Sequence, residues 1–279
     1  MTPTLTAYMP LATYPEPASD DGIRATLDFA ASLGFHLQVT VFTVDIPQVS
    51  SPLGNLMIDT NGLVRAAEEK SRSEAARLQG LVKSVAGDSL TVSIKTRDVV
   101  LGGMPHVAET EARLCDLAVM VWTGDTVAGQ DLTQSVVFGS GRPTIVVPLK
   151  VLPVALDHIA IAWDGSRVAA RALGDALPLL AEGGRVSVLT VTDEKPLADH
   201  DLAESLATAL QGRGYKASAV RIALGGRKIA EALQDAAVKE GAGLLAMGGF
   251  GHSRFRDFIV GGATLGVLAQ LSMPVLLSH

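Results

Sequence analysis

Residues 247–264 read Met-Gly-Gly-Phe-Gly-His-Ser-Arg-Phe-Arg-Asp-Phe-Ile-Val-Gly-Gly-Ala-Thr, placing glycines at 248, 251 and 261 in the spacing G-x2-G-x9-G. Glycine at the end of a strand lets a ligand approach the backbone closely and permits positive φ. Gly261-Gly262 opens the next helical pattern, and the free N–H groups and positive dipole end of a helix suit a phosphate. His252, Arg254 and Arg256 add donor or cationic side chains to the same loop. A phosphate-bearing ligand is the chemistry this pattern fits, the alternative being a turn that merely requires glycine. The segment lacks the Lys-Ser/Thr pair of a P-loop, and only His252 and Asp257 stand near as bases. Phosphoanhydride hydrolysis here is slow at most, so no catalytic residue is assigned.

Other reactive residue types have simpler readings. Asp199-His200-Asp201 has metal-binding side chains but sits at a helix start, where acidic residues are common, and no metal ligand is assigned. Cys115 precedes a buried strand without an activating histidine and reads as a packed thiol. His36, His106 and His158 read as surface or loop histidines. The charges of Arg65–Arg77 recur at helical spacing, as on a solvated helix face. Gly139-Ser140-Gly141 departs from G-x-S-x-G and precedes a strand, so the nucleophile-elbow reading fails.

The elements that must position the glycine segment occur twice. Leu117 matches Leu244, Met120 matches Met247 and Gly124 matches Gly251, all at one offset. RPTIVVP at 142–148 matches MPVLLSH at 273–279, and FHLQVTVFTVD at 35–45 matches GRVSVLTVTD at 184–193. The second copy is the clearer. Apolar, β-branched runs predict buried strands at His158–Ala162, Val186–Val191, Leu244–Met247 and Pro274–Leu277, and Lys216–Ala223 alternates like a strand. Helical spacing predicts helices at Ser166–Leu180 with Ser166 as N-cap, at Ala198–Gln211 and at Arg227–Glu240. In the first copy, Leu5–Met9 reads as a strand that runs into Pro10. Strands separated by helices imply right-handed crossovers and a parallel sheet covered on both faces. Such open sheets bind ligands beyond the carboxyl ends of their strands, at the switch in strand order. The division expected is 1–150 and 151–279. TIVVP and PVLLS are apolar runs at predicted sheet edges, so the halves should dock through them as an intramolecular pseudo-dimer, with a homodimer of whole chains open.

Composition bounds the class. Of 279 residues 48% are hydrophobic and 19% charged, enough for full cores. A net charge of -6 without a basic run excludes a nucleic-acid footprint. Prolines 3, 10, 15 and 17 and the absence of early basic residues argue against a secretory signal, and a single cysteine fits a reducing compartment. Phe258–Ser278 carries no charge, yet Gly261-Gly262 and Pro274 break it, so no membrane span and no membrane partner are expected. The expected location is the cytoplasm.

The glycine spacing, with the strand order around it, resembles the universal stress protein family, whose ATP-binding members carry G-x2-G-x9-G followed by Ser or Thr. The resemblance covers about Asp157 to His279; the first half is similar in degenerate form. It implies an α/β fold of two tandem Rossmann-like, adenine nucleotide alpha-hydrolase-like domains, each a five-stranded parallel sheet with helices on both faces. It further implies a stress-response protein binding ATP, ADP or AMP, alone or with Mg2+. Ala162 and Asp164 then meet the adenine, Val191 packs beside it, and Met247 and Gly248 flank the ribose and α-phosphate. Gly251, His252, Gly261, Gly262 and Ala263 surround the phosphates. Gly262 stands where the family has Ser or Thr, and Thr264 would replace that hydroxyl. In the first half Val121 replaces Gly248, no Asp matches Asp164, and 18 residues separate Gly124 from Pro143 against 22 between Gly251 and Pro274. One nucleotide site per chain, in the second half, is therefore expected.

Overall fold

Strands and helices alternate along the chain in two sets of five strands. The computed structural model describes residues 4–47, 59–122, 126–150, 156–193, 201–249 and 262–279. The first set is β1 (Thr6–Ala12), β2 (His36–Asp45), β3 (Val92–Val100), β4 (Leu117–Val121) and β5 (Thr144–Val147). Between them lie α1 (Asp20–Ser32), α2 (Thr60–Ala86), α3 (Met104–Ala112) and α4 (Val127–Gly139). The second set is β6 (His158–Ala162), β7 (Arg185–Val191), β8 (Lys216–Ile222), β9 (Leu244–Gly248) and β10 (Val275–Ser278). Its helices are α5 (Arg167–Ala176), α6 (Leu202–Gly212), α7 (Ile229–Glu240) and α8 (Gly262–Ala269).

All ten strands form one sheet in the order β3-β2-β1-β4-β5-β10-β9-β6-β7-β8. Within each set neighbours are parallel. The sets join where β5 and β10 run antiparallel, with Val275 opposite Val146, Leu276 opposite Ile145 and Leu277 opposite Thr144. Every residue of both joining strands is buried. The antiparallel join turns the carboxyl ends of the two sets toward opposite rims of the sheet. Helices α1, α2, α5 and α6 share one core cluster on one face. Helices α3 and α4 pack on the other face of the first set, and α7 and α8 on that of the second.

Local chemistry accounts for the boundaries. Ser19, Asp59, Thr126 and Ser166 cap α1, α2, α4 and α5, each accepting from a backbone N–H three residues on. Helix α5 is shorter than its periodicity predicts: it ends at Ala176 and gives way to a 3-10 turn over Leu177–Leu179. Pro178 causes this, because its ring clashes with the preceding turn and offers no N–H. Strand β1 is longer than expected, running through Pro10 to Ala12. Its pairing with β4 covers only Ala7 and Tyr8, so that ladder stops before the residue with no donor. Helix α2 shows the predicted solvated stripe, with ion pairs Arg72–Glu68 and Arg77–Glu74. Cys115 is a buried thiol, pushed up by burial and then by Asp116.

His158 corrects a sequence expectation. It is a buried residue at the start of β6, with Nε2 2.9 Å from Ser187 Oγ. Burial, then the Arg185 charge, lowers its pKa. The unfolded chain therefore takes up a proton that the folded chain resists, and stability contributed by neutral His158 is lost as pH falls below the ordinary value of about 6.5. Urea unfolding of wild type and His158→Gln should show a smaller stability difference at pH 5.5 than at pH 7.5. An unchanged difference contradicts the neutral, buried assignment.

Candidate functional site

In the second half β6 leads to β7 on one side while β9 lies on its other side, so the strand order switches between β6 and β9. Ala162, Val191 and Met247 occupy the carboxyl ends of β6, β7 and β9, and Ala263 lies in the first turn of α8. All four pack into one apolar cluster on the α7–α8 face; Met247 is buried and the others are partly so. The structure thus brings Ala162 and Val191, expected beside the adenine, into one cluster with Met247, expected by the ribose, and Ala263, expected by the phosphates. Thr264 follows Ala263 but is only 3% exposed. Gly262 opens α8. Gly251, His252 and Gly261 lie outside the described residues.

Asp164 is exposed, and its Oδ1 accepts from the backbone N–H of Ser166 at 2.9 Å. One carboxylate oxygen therefore holds the turn into α5, a structural task compatible with a ligand on the remaining oxygen. Gly165 between them adopts φ +76°, the left-handed region that favours glycine.

Gly248 has a second reason to be glycine. A Cβ there would lie 2.6 Å from Val168 Cγ2 and 2.7 Å from the Val168 backbone carbon in α5. The first half solves the same contact in reverse: Val121 stands in the strand, and a Cβ on Gly22 of α1 would lie 2.5 Å from Val121 Cγ1. Strand and helix have exchanged the large and the small residue. Val121 is accommodated by Gly22.

Sheet register aligns the two carboxyl rims. Ala7 and Ile159 both lie opposite the matched leucines 117 and 244, so Pro10 corresponds to Ala162 and Ala12 to Asp164. By the same logic Phe42 corresponds to Val191. The first-half rim holds a cavity of about 250 Å³ lined by Tyr14, Phe42, Val99, Met104 and Asp131 among others. A second space of about 50 Å³ lies by Pro10, Ala12, Val121 and Thr126. Neither lining contains a basic residue, and Asp131 and Glu16 are acidic, so both disfavour phosphate. Behind this rim a buried carboxylate, Glu111, accepts from Thr40 Oγ1 at 2.7 Å and Tyr8 Oη at 3.0 Å, with Lys95 Nζ at 2.9 Å. Burial pushes Glu111 up, but hydrogen bonds from Lys95, Thr40 and Tyr8 outweigh it and hold the group below its ordinary value. The Tyr8 hydroxyl is raised by burial and then by Glu111, and stays protonated.

Sequence reasoning missed Trp163, between Ala162 and Asp164. Its indole Nε1 is buried with no hydrogen-bond partner among the described residues, and its ring packs against the α5–α6 core. Only a tryptophan at a strand exit signalled it in the sequence. Asp201 forms an ion pair with Arg221 at 2.8 Å; Asp199 and His200 lie outside the described residues. Among the described residues no cluster of three or more His, Cys, Asp or Glu is placed to hold a metal, and no helix is long and apolar enough to cross a membrane.

The sequence model of the universal stress protein family matches residues 155–279. Among solved structures, a universal stress protein from Archaeoglobus fulgidus shares 16% identity over 97% of this chain and 95% of its own, with a TM-score of 0.67. A functionally unknown protein from Pseudomonas aeruginosa shares 14% identity over 97% of this chain and 92% of its own, with a TM-score of 0.50. At these identities the likeness is one of fold. No curated protein matches the chain.

The packing at Gly248 generates a prediction independent of any ligand. Gly248→Val should destabilise the chain by about 1–3 kcal/mol in urea unfolding, as overpacking does. Val168→Ala should restore part of that loss. Full stability of Gly248→Val alone would show that α5 does not require the glycine.

Proposed function

We propose that this chain, whose residues 155–279 match the model of the universal stress protein family, is a stress-response regulatory protein binding an adenine nucleotide in its second half. The carrying observation is the meeting of Ala162, Val191, Met247 and Ala263 at the carboxyl ends of β6, β7 and β9. Apolar residues at a strand-order switch, beside a helix that opens after a glycine-rich segment, suit a flat base with an anionic tail. ATP, ADP or AMP has that shape, and any Mg2+ would arrive on the phosphates. The division into 1–150 and 151–279, with the first part lacking nucleotide, belongs to the same reading. So does a cytoplasmic location.

Asp164 would accept from the adenine amino group or the ribose, and backbone N–H groups of Gly251, Gly261 and Gly262 would hold phosphate, with His252 beside them. Thr264 is buried, which leaves the phosphate end short of a hydroxyl and favours a shorter nucleotide. A second reading, a nucleotide-free scaffold that uses its halves as a pseudo-dimer, draws on the continuous β5–β10 join.

Isothermal titration of the full chain with ATP, ADP and AMP separates the two. Nucleotide binding predicts about one equivalent per chain, weakened at least about tenfold, or about 1.4 kcal/mol, by Gly261→Val and unaffected by Gly124→Val. Absence of heat for all three nucleotides favours the scaffold.

A further inference from the structure

The larger cavity of the first half lies between the ends of β1, β2 and β3 and the starts of α3 and α4, at the rim where an open parallel sheet takes ligands. Its walls are apolar: Phe42 and Val99 are buried in the core under α3 and α4, and Met104 packs against them. Thr13 and Thr43 also line it, but their hydroxyl protons are engaged within the protein. Thr13 donates to the Phe42 carbonyl at 2.7 Å and Thr43 to the Asp98 carboxylate.

The mouth is apolar too. After β3 the Gly103 N–H donates to the Val100 carbonyl at 2.7 Å and the Leu101 N–H to the Asp45 carbonyl at 2.9 Å. Gly102 between them takes φ +84°, the left-handed region that favours glycine. This tight turn leaves Val100 52% and Leu101 51% exposed, although both line the cavity. Two large aliphatic side chains held half in water contribute little to the core, and a ligand seated beside them would cover them.

Charge and size narrow the occupant. Asp131 of α4 is the charged residue of the lining among the described residues. The cations of β3, Lys95 and Arg97, pair instead with Glu111, at 2.9 and 3.7 Å. The lining therefore repels an anion and accepts a positively charged group. A cavity of about 150 Å³ holds benzene, while drug-sized ligands occupy about 300–1,000 Å³. The space here, about 250 Å³, suits a one- or two-ring molecule.

We propose that the first half carries a ligand site of its own in this cavity, for a small aromatic amine whose ring lies against Phe42 and Val99 and whose ammonium group faces Asp131. Val100 and Leu101 would leave water when it binds. The phosphates of a nucleotide suit neither these walls nor Asp131, so the site differs in chemistry from the one proposed for the second half and stands without it.

The test is an amide NMR titration of the isotope-labelled full chain with three probes of one ring system: tryptamine, indole and indole-3-acetate. Tryptamine should bind with a dissociation constant below about 1 mM, and indole-3-acetate about tenfold more weakly. The shifts should centre on Phe42, Val99 to Gly102 and Ala128. Ala128→Trp, which places a bulky ring in the cavity from the first turn of α4, should abolish binding. Asp131→Asn should weaken tryptamine about threefold and leave indole unchanged, as expected for an exposed ion pair. This exposed substitution decides the matter where Ala128→Trp fails to fold. Binding of none of the probes overturns the proposal, as do shifts centred on Ala162, Val191 and Met247. Equal binding of indole-3-acetate and tryptamine, undiminished binding to a folded Ala128→Trp, or unchanged tryptamine affinity in Asp131→Asn also overturns it.

Discussion

The antiparallel pairing of β5 with β10 is the contact on which the rest of the molecule depends. Both strands are short, apolar and buried along their whole length. Left at the edges of two separate sheets, they would expose unpaired backbone beside hydrophobic side chains, a template for aggregation. Their pairing removes both edges at once and lets α1, α2, α5 and α6 share one core. The edges that remain are β3 and β8, whose exposed Lys95, Arg97, Asp98, Lys216 and Arg221 discourage further pairing.

That join also decides what each carboxyl rim can become. Both halves keep the strand order and a serine cap on the helix after their first strand, but they distribute volume differently. Gly22 under Val121 and Val168 over Gly248 fill the same gap from opposite sides. Trp122 stands where the second half has Gly249, which is packed beside Phe138 and Val137. The first rim keeps an apolar cavity with acidic Asp131 and Glu16 nearby. The second keeps small residues at the strand ends. The two halves share one continuous sheet and fill their rims differently.

The second half was readable from sequence because its strands are buried on both faces and its helices have one apolar stripe. Buried strands then appear as continuous apolar runs, and Ser166 marks a helix start. Features that depend on distant partners were not readable. The burial of His158 depends on Ser187 in the neighbouring strand. The continuation of β1 past Pro10 depends on where pairing with β4 ends. The need for glycine at 248 is only partly a matter of ligand approach, because Val168 comes from a helix eighty residues earlier. The burial of the Trp163 indole N–H and the first-half cavity likewise exist only once the sheet has assembled. Ala162, Val191 and Met247 could be placed at strand ends beforehand, since strand ends are local and the sheet brings them into register.

The central claim is that the ends of β6, β7 and β9 form a cleft for an adenine nucleotide. Mass spectrometry of small molecules released from freshly purified, unheated protein addresses it most directly. The account predicts an adenosine phosphate in the released fraction, lost when Gly261 is replaced by valine. Protein that releases no nucleotide, and whose crystals soaked in millimolar adenosine phosphates keep that cleft empty, would contradict it.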